Sequence, residues 1–290
     1  MNTFERCAKF LKPFLDRKSE RQLNSPPLFV GVEGPQGSGK TTVCRQLAER
    51  LSVLYPNLNF VTFSMDDFYL TFEEQNEVAA NDPTNVMLNG RGLPGTHDVD
   101  LLLKCLKQLA TEKTNVDIPI YDKSQHRGRG DRVAFNKWIH IKKPTLIDVV
   151  IFEGWFNGYP SYSSEEDLIS KWNKVKLRYP SVFENIGYEH IAKLNRDLVR
   201  YQAIWDYFDA FVCITTNTID NVYKWRKQQE HDMIKQKGAG MTDDEVVQFV
   251  DRYMPVYRLY YDRLAETRKK IPSIEISIGL DRRLLPASYL

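Results

Sequence analysis

The 290-residue sequence has only four cysteines, and they are far apart. Cys7, Cys44, Cys105 and Cys213 form no C-x-x-C pair and no spacing typical of metal ligands, which excludes a disulfide framework and a zinc module. Each is most simply interpreted as a small buried apolar side chain. Free thiols favour a reducing compartment. We therefore expect a cytoplasmic protein, with entry into the nucleus left open.

An excess of one charge and long apolar runs are also absent. Forty basic and 38 acidic residues give a formal net charge of +2, which is too small to draw the whole surface to nucleic acid or to an anionic membrane. The N-terminal stretch MNTFERCAKFLKPFLDRKSER mixes charges into its apolar residues, so it predicts neither a signal peptide nor a membrane span. We expect no nucleic-acid partner and no membrane association; a monomer is favoured, although the oligomeric state stays open.

No internal repeat, low-complexity tract or interdomain linker divides the chain, so one domain is expected over residues 1–290. An amphipathic helix at 4–16 and a linker to residue 27 precede the first strand. Residues 71–97 predict loops, and 156–183 an insertion outside the core. Further helices are predicted at 42–54, around 101–109, at 184–208 and at 243–267, where Pro255 should kink or split the last one. Apolar runs predict five strands, at 28–32, 59–65, 146–155, 210–216 and 273–279.

A glycine-rich motif follows the first predicted strand. Gly34 and Gly39-Lys40-Thr41 fit G-x-x-x-x-G-K-[ST], and a helical pattern begins directly after them. Glycines let the main-chain N–H groups surround phosphates, Lys40 contributes a positive charge, and the Thr41 hydroxyl is suited to Mg²⁺. The motif predicts a site for ATP or GTP formed by Gly34, Pro35, Gln36, Gly37, Ser38, Gly39, Lys40, Thr41 and Thr42.

Acidic residues end the second and third predicted strands. Asp66 and Asp67 follow residues 59–65, and Glu153 lies near the end of 146–155. Because ligands sit at the carboxyl ends of parallel strands, these side chains should face the phosphate loop. One aspartate is then the base for an attacking hydroxyl, and the other lies near Mg²⁺ or a second substrate. Thr41, Asp66 and Glu153 are the candidate metal ligands; an acidic helix cap, or an acid lying just outside the sheet, is the plainer alternative.

Two further segments could contact an acceptor. His97 and Asp98 precede the helix at 101–109, where Asp98 or Thr96 could equally be a helix cap and His97 only a turn residue. The run YDKSQHRGRGDR places Lys123, Arg127, Arg129 and Arg132 on a glycine-rich backbone. Arginine forks match carboxylate and phosphate oxygens, so this run predicts a clamp for an anionic group. A solvated or RNA-binding segment is the alternative, although no stacking aromatics interleave with its charges.

A charged helical pattern over residues 220–236 ends at the sequence KGAG. A basic helix beside a nucleotide site is typical of a lid that closes over the reacting groups and excludes water. The same charges would also suit an ordinary solvated surface helix. We call residues 220–240 the lid segment.

These motifs together resemble the plant-type glycerate 3-kinase family and its fungal relatives, within the group of phosphoribulokinase, uridine kinase and pantothenate kinase. The resemblance rests on GPQGSGKTT, SMDDFYLT, RGLPGTHD, YDKSQHRGRGDR, FEGW, VYKWRKQQE and the GMTDDEV to RYMPVY run, in that order. It implies a P-loop α/β fold with a five-stranded parallel sheet of nucleoside-monophosphate-kinase type, helices on both faces, a helical lid, and ATP with Mg²⁺. It also implies that Asp66 is the base, that Glu153 acts near the metal and that Arg226 is the lid arginine. Tyr69 and Tyr121 lie in two of these motifs and are additional candidates for substrate contact.

The prediction is therefore an ATP-dependent kinase that phosphorylates a hydroxyl of a small acid resembling glycerate. A uridine-kinase-like enzyme is the nearest rival, but its uncharged acceptor would not need clustered arginines. A regulatory ATP-binding protein without transfer activity is a second rival. The N-K-x-D motif of GTPases is missing, and the small net charge disfavours a nucleic-acid-dependent ATPase.

Overall fold

The computed structural model describes residues 2–20, 25–111, 115–142, 145–237 and 240–286. Parts of the predicted linker before residue 28 and of the predicted break after the lid helix, including Asn24, Gly238 and Ala239, lie outside the described residues. The strands found in the described ranges are β1 Leu28–Glu33, β2 Phe60–Ser64, β3 Val116–Ile118, β4 Tyr121–Asp122, β5 Asp131–Arg132, β6 Ile139–Ile141, β7 Val149–Gly154, β8 Ala210–Thr216 and β9 Ser273–Ile278.

Helices lie between these strands, and several of them start at a capping residue. They are α1 Thr3–Glu20, α2 Lys40–Leu54, α3 Phe72–Asn81, α4 Val99–Thr111, α5 Gln125–Gly128, α6 Glu165–Arg178, α7 Tyr188–Trp205, α8 Asn221–Lys237, α9 Asp243–Asp251, α10 Met254–Tyr260 and α11 Leu264–Arg268. The predicted last helix is indeed split, with Pro255 in the first turn of α10, where its missing N–H costs nothing. None of the described helices is long and apolar enough to cross a membrane.

The predicted five-stranded parallel sheet is confirmed, in the order β2-β7-β1-β8-β9. Every residue of β1, β7 and β8 is buried, so both faces of the sheet centre are covered. Helices α1 and α2 pack against each other and against strands of the sheet. The four cysteines are free and buried, as predicted.

Two expectations about the connections between strands are wrong. Within residues 71–97, which predicted loops, α3 forms because Thr71 and Glu74 make a reciprocal capping box that satisfies the first free N–H groups. Within 156–183, which predicted an insertion outside the core, Phe156 and Tyr159 are fully buried, and α6 buries Leu168 and Trp172. The aromatic side chains of this segment are therefore core residues.

Candidate active site

The phosphate loop, residues 34–42, connects β1 to α2. Gly37 and Gly39 have φ of 79° and 91°, in the left-handed region that favours glycine. A Cβ on Gly37 would also lie 2.5 Å from the Cβ of Trp225. Packing against α8 therefore fixes the loop from outside, while its N–H groups and the N-terminus of α2 remain suited to an anion. The Ser38 hydroxyl oxygen is buried and has no hydrogen-bond partner among the described residues.

Thr41 and Glu153 meet at the end of the central strands. The Thr41 hydroxyl lies 2.9 Å and 3.0 Å from the two carboxylate oxygens of Glu153 and donates to them. Burial raises the pKa of Glu153, and the Lys40 ammonium and the Thr41 hydroxyl oppose that rise. A hydroxyl and a carboxylate are the hard oxygen donors that Mg²⁺ takes from a protein when phosphates and water fill its other positions. No group of three or more acidic, histidine or cysteine side chains suited to a metal occurs in the described ranges.

The register of the sheet explains why Asp66 belongs to the same site. Glu153 on β7 is paired with Val32 on β1 and with Ser64 on β2. The phosphate loop leaves β1 on one side of Glu153, and the turn carrying Asp66 leaves β2 on the other. Residues far apart in sequence therefore converge, as the parallel order requires.

Asp66 lies in the 3-10 turn Met65–Phe68 and is bonded through both oxygens. Its Oδ2 is 2.5 Å from the Lys123 Nζ, and its Oδ1 accepts a hydrogen bond of 2.8 Å from the Tyr69 hydroxyl. Burial alone would raise the pKa of Asp66, but the charges of Lys123 and Lys40 and the Tyr69 hydroxyl hold the pKa well below its ordinary value. The carboxylate is therefore ionised and fixed in direction.

Asp67 has a different environment. Its Oδ2 accepts the Ser64 N–H at 2.9 Å and completes a capping box at the start of the turn. Burial, together with the nearby negative charge of Asp66, raises the pKa of Asp67 to about 6. The plainer alternative of an acidic cap is therefore met by Asp67, whereas Asp66 is the carboxylate that faces the cations of the site.

The basic run folds as a short hairpin formed by β4 and β5. Strands β4 and β5 pair through Tyr121 with Arg132 and Asp122 with Asp131. At its tip His126 and Arg127 have φ of 49° and 58°, a conformation that is uncommon outside glycine. The His126 ring stacks on Phe72 of α3, with ring centroids 3.8 Å apart. The aromatic ring that stacks on this basic segment therefore comes from α3 and not from the segment itself.

The predicted clamp of three arginines is not assembled in this form. Arg129 donates to the Asn76 Oδ1 at 2.6 Å and lies over Phe72, so it is bonded to α3. Arg132 donates to the Tyr69 carbonyl at 3.0 Å and to the Asp98 carboxylate at 3.3 Å. Arg127 is exposed at the tip and makes no hydrogen bond or ion pair with any described residue. The cation of this run that reaches the acidic site is Lys123.

His97 is buried against Tyr69, the residue that donates to Asp66. It is therefore not only a residue of a turn. Its exposed fraction is 4%, and its ring lies 4.6 Å from that of Tyr69. The Tyr201 hydroxyl accepts the Gly95 N–H at 3.1 Å and is hydrogen-bonded to His97 Nδ1 at 2.9 Å. Burial lowers the pKa of His97 to about 3, so its ring is neutral near pH 7. The Nε2 has no partner among the described residues.

Asp98 and Tyr121 complete this side of the site. The Asp98 Oδ1 accepts the Leu101 N–H at 3.0 Å, so Asp98 caps α4, which was one of its two predicted roles. Tyr121 is buried, and its ring meets that of Tyr69 edge to face at 5.2 Å. Both side chains support the framework around Asp66 and Lys123.

A cleft of about 470 Å³ lies between the phosphate loop and α8. Its lining is Gly37, Gly39, Thr42, Gln228, Gln229, His231, Asp232, Lys235 and Arg282. Arg226, the predicted lid arginine, is on α8, where it donates to the Gln229 Oε1 at 2.7 Å and lies over Phe249. In this conformation Arg226 is held by its own helix and by α9.

Three residues outside the predicted set are also part of the site. Arg282 has φ of 61° and donates to the Gly37 carbonyl at 2.7 Å and to the Gln228 Oε1 at 2.9 Å. Arg91 donates to the carbonyls of Gly128 and Arg129, and its charge opposes the rise in the pKa of Lys123 that Asp66 causes. Glu33 is fully buried at the end of β1, and burial raises its pKa well above the ordinary value. Arg91 is the first residue of the RGLPGTHD motif, so the sequence could have identified it as a site residue. Arg282 lies in no motif, so no sequence pattern indicated it.

Three comparisons place these features among known proteins. The model of the phosphoribulokinase and uridine kinase family matches residues 29–200. The solved structure of a D-glycerate 3-kinase from Cryptococcus neoformans superposes with a TM-score of 0.86 at 35% identity, covering 99% of this chain and 98% of that one. The probable ATP-dependent kinase TDA10 of Saccharomyces cerevisiae is 36% identical over 89% of this chain and 86% of its own. The chloroplastic D-glycerate 3-kinase of Arabidopsis thaliana is 36% identical over 82% of this chain, which spans 49% of the plant protein.

The family match covers more than half of the chain, and it includes the phosphate loop, Asp66, the basic hairpin and Glu153. The relatives extend the likeness through the lid segment to β9. The chain belongs to the phosphoribulokinase and uridine kinase family and is an ATP-dependent kinase whose acceptor is a hydroxyl group of a small molecule.

Proposed function

We propose that this kinase transfers the γ-phosphoryl group of ATP to a hydroxyl of D-glycerate or a closely similar small hydroxy acid. The observation that carries the proposal is the convergence of Lys40, Asp66 and Lys123 at one edge of the sheet. Lys123 provides a cation for a carboxylate beside Asp66, and two similar proteins are named D-glycerate 3-kinases. A nucleoside acceptor would have no use for that cation.

The proposed transfer uses the site as follows. The phosphate-loop N–H groups and Lys40 balance the charge of the phosphates. The acceptor oxygen forms a bond to the γ-phosphorus while the bond from that phosphorus to the bridging oxygen of ADP breaks, and the hydroxyl proton passes to Asp66. Because phosphoryl transfer depends mostly on positioning and charge, the base contributes about 10²–10⁴-fold of the rate.

Mg²⁺ is part of the proposal. Thr41 and Glu153, with Asp66 at the margin, would hold it, and when bound it would neutralise charge on the phosphate oxygens. The buried carboxylate of Glu153 beside an exposed hydroxyl supports this assignment. The protein's own contribution is to hold the Thr41 hydroxyl in a single direction.

We also propose that residues 220–240 close as a lid within a single kinase domain. Its α8 contacts the phosphate loop through Trp225 and, through Gln228, meets Arg282. Closure would carry Arg226 from Gln229 towards the transferring group and remove water from the cleft. The polar lining of the cleft on the α8 side supports this role.

An acceptor panel tests the function. ATP consumption is measured with Mg²⁺ and D-glycerate, L-glycerate, glycerol, uridine or no acceptor, and the phosphorylated product is identified by mass spectrometry. We expect strong stimulation by D-glycerate and little by glycerol or uridine. Stimulation by uridine instead would establish the nucleoside-kinase alternative. Tight ATP binding with stimulation by no acceptor would establish the regulatory one.

A further inference from the structure

The Asp66 side chain is fully engaged before any acceptor arrives. Tyr69 donates to Oδ1 at 2.8 Å, and the Lys123 ammonium contacts Oδ2 at 2.5 Å. Tyr69 is buried at 3% exposure, so its hydroxyl is part of the fixed framework. Oδ2 is therefore the oxygen that a hydroxyl could approach, and it is the one that Lys123 occupies.

The Lys123 side chain can move its ammonium group away from Asp66. The side chain is 57% exposed, against 27% for Asp66, so Lys123 is the more exposed member of the pair. Lysine carries a point charge on a flexible four-carbon stem and can move its ammonium by several ångström without a backbone change. By contrast, Arg132 is 12% exposed and holds both Tyr69 and Asp98, so it cannot turn towards a ligand without breaking the framework.

An anionic acceptor would also find a second cation at this point. Arg91 is tied to the hairpin through the carbonyls of Gly128 and Arg129. Its charge acts on Lys123, so the two cations repel each other. A carboxylate entering beside them would be attracted by both, whereas water or a neutral alcohol would not.

We propose that Lys123 is exchanged between Asp66 and the acceptor: it blocks Asp66 Oδ2 while the acceptor position is empty and moves to the carboxylate of an incoming small acid. The inference rests on the proposed function and deepens it, because it makes the anionic group of the acceptor the trigger for access to the base. It explains how the enzyme would avoid hydrolysing ATP, since water cannot displace the ammonium. Lys123 is then a specificity residue as well as an anchor.

The test compares wild type, Lys123→Met, Lys123→Arg and the double variant Lys123→Met with Asp66→Asn. Two quantities are measured: ATP hydrolysis without acceptor, and the ratio of kcat/KM for D-glycerate to that for glycerol. Lys107→Met, on the exposed face of α4, is the matched control. Thermal unfolding and ATP affinity establish that each variant is folded and binds nucleotide.

We expect Lys123→Met to raise acceptor-free hydrolysis about tenfold and to lower the D-glycerate to glycerol ratio by about 10–100-fold, the range for a charged hydrogen bond. Lys123→Arg should keep hydrolysis low because it retains the charge. The double variant should return hydrolysis to the wild-type level or below, since the increase requires Asp66.

Two outcomes would overturn the exchange. If Lys123→Met loses D-glycerate turnover while acceptor-free hydrolysis is unchanged, Lys123 is only an anchor. If hydrolysis rises equally in the double variant, the increase comes from loosening of the hairpin. The hydrolysis measurement needs no acceptor, so it decides the exchange even if the acceptor panel shows that D-glycerate is not the substrate.

Discussion

The nucleotide end of the site and the acceptor end are built by different means. At the nucleotide end, one continuous loop between β1 and α2 supplies the phosphate contacts, and Glu153 is 6% exposed beneath it. At the acceptor end, a turn after β2 meets a hairpin over fifty residues later, through an ion pair between side chains that are 27% and 57% exposed. The first end is formed before a ligand binds, whereas the second depends on side chains that a ligand can displace. Under the proposed function, the first end holds the nucleotide and the second end selects the acceptor.

The largest expected effect comes from the residue that joins the two ends. Asp66→Asn should lower kcat by about 10²–10⁴-fold, because the amide cannot take the hydroxyl proton. ATP affinity should stay near that of the wild type, since no phosphate contact is removed. Steady-state kinetics and calorimetric ATP titration measure both. Asp67→Asn is the control, because the amide oxygen can still accept the Ser64 N–H; a larger loss in that variant than in Asp66→Asn would assign the base to Asp67.

The second effect belongs to the nucleotide end alone. Glu153→Gln keeps an acceptor for the Thr41 hydroxyl but removes the negative charge. Losing one ligand or its orienting partner typically costs about 10–100-fold in metal affinity. We therefore expect the Mg²⁺ concentration for half-maximal activity to rise by that factor, while KM for the acceptor changes little. Thr41→Ser retains the hydroxyl and should resemble the wild type. An unchanged Mg²⁺ requirement in Glu153→Gln would contradict the metal role of Glu153.

The two ends also differ in how far sequence could predict them. The phosphate loop is a local motif whose function follows from its own backbone, and β8 has the predicted bounds because seven consecutive buried residues leave one interpretation. Asp66 and Lys123 were both predicted as site residues, but the contact between them was not. The diversion of Arg129 to Asn76 could not be predicted, because α3 itself was missed: only Gln75 of that helix is buried, so it has no apolar periodicity.

Long-range packing explains the other differences. Phe156 and Tyr159 lie among glycine and proline, which indicates a loop, yet they fill the space between β7 and α7 as buried aromatic contacts. Likewise His97 follows a Pro-Gly turn, and only the approach of Tyr201 from α7 buries it. Sequence patterns report the period of an element, but not which distant element covers it.

The third effect concerns His97, which is buried next to the acceptor end. The pKa of His97 falls from 6.5 to about 3 on folding, so burial of its neutral ring contributes stability that is fully present above 6.5 and is lost as the pH falls towards 3. Between pH 7.5 and pH 5 the free energy of unfolding should fall by about 2 kcal/mol more in the wild type than in His97→Gln. Urea unfolding at the two pH values measures the difference.

A companion variant separates the titration of His97 from its packing. Tyr201→Phe removes the hydrogen bond to Nδ1 but keeps the histidine buried. It should be less stable at both pH values and still show the excess acid sensitivity. Equal pH dependence in the wild type and His97→Gln would mean that the ring is not held neutral.

The smallest expected effect is at the edge of the nucleotide end. Arg282 ties the phosphate loop to α8 through Gly37 and Gln228, and its guanidinium lies 5.5 Å from the centre of the Trp225 ring. Arg282→Asn tolerates the left-handed backbone and removes the guanidinium, so the change reports the side chain and not backbone strain. A lost charged hydrogen bond should raise KM for ATP by about tenfold.

The neighbouring Arg283→Ala is the matched control, because Arg283 is 88% exposed and pairs only with Asp281 in the described structure. KM for the acceptor should not respond to either change. If Arg282→Asn raised KM for the acceptor as much as KM for ATP, the two ends would not be independent, and the lid segment would have to connect them: closing α8 over the phosphate loop would then be a condition for forming the acceptor position as well.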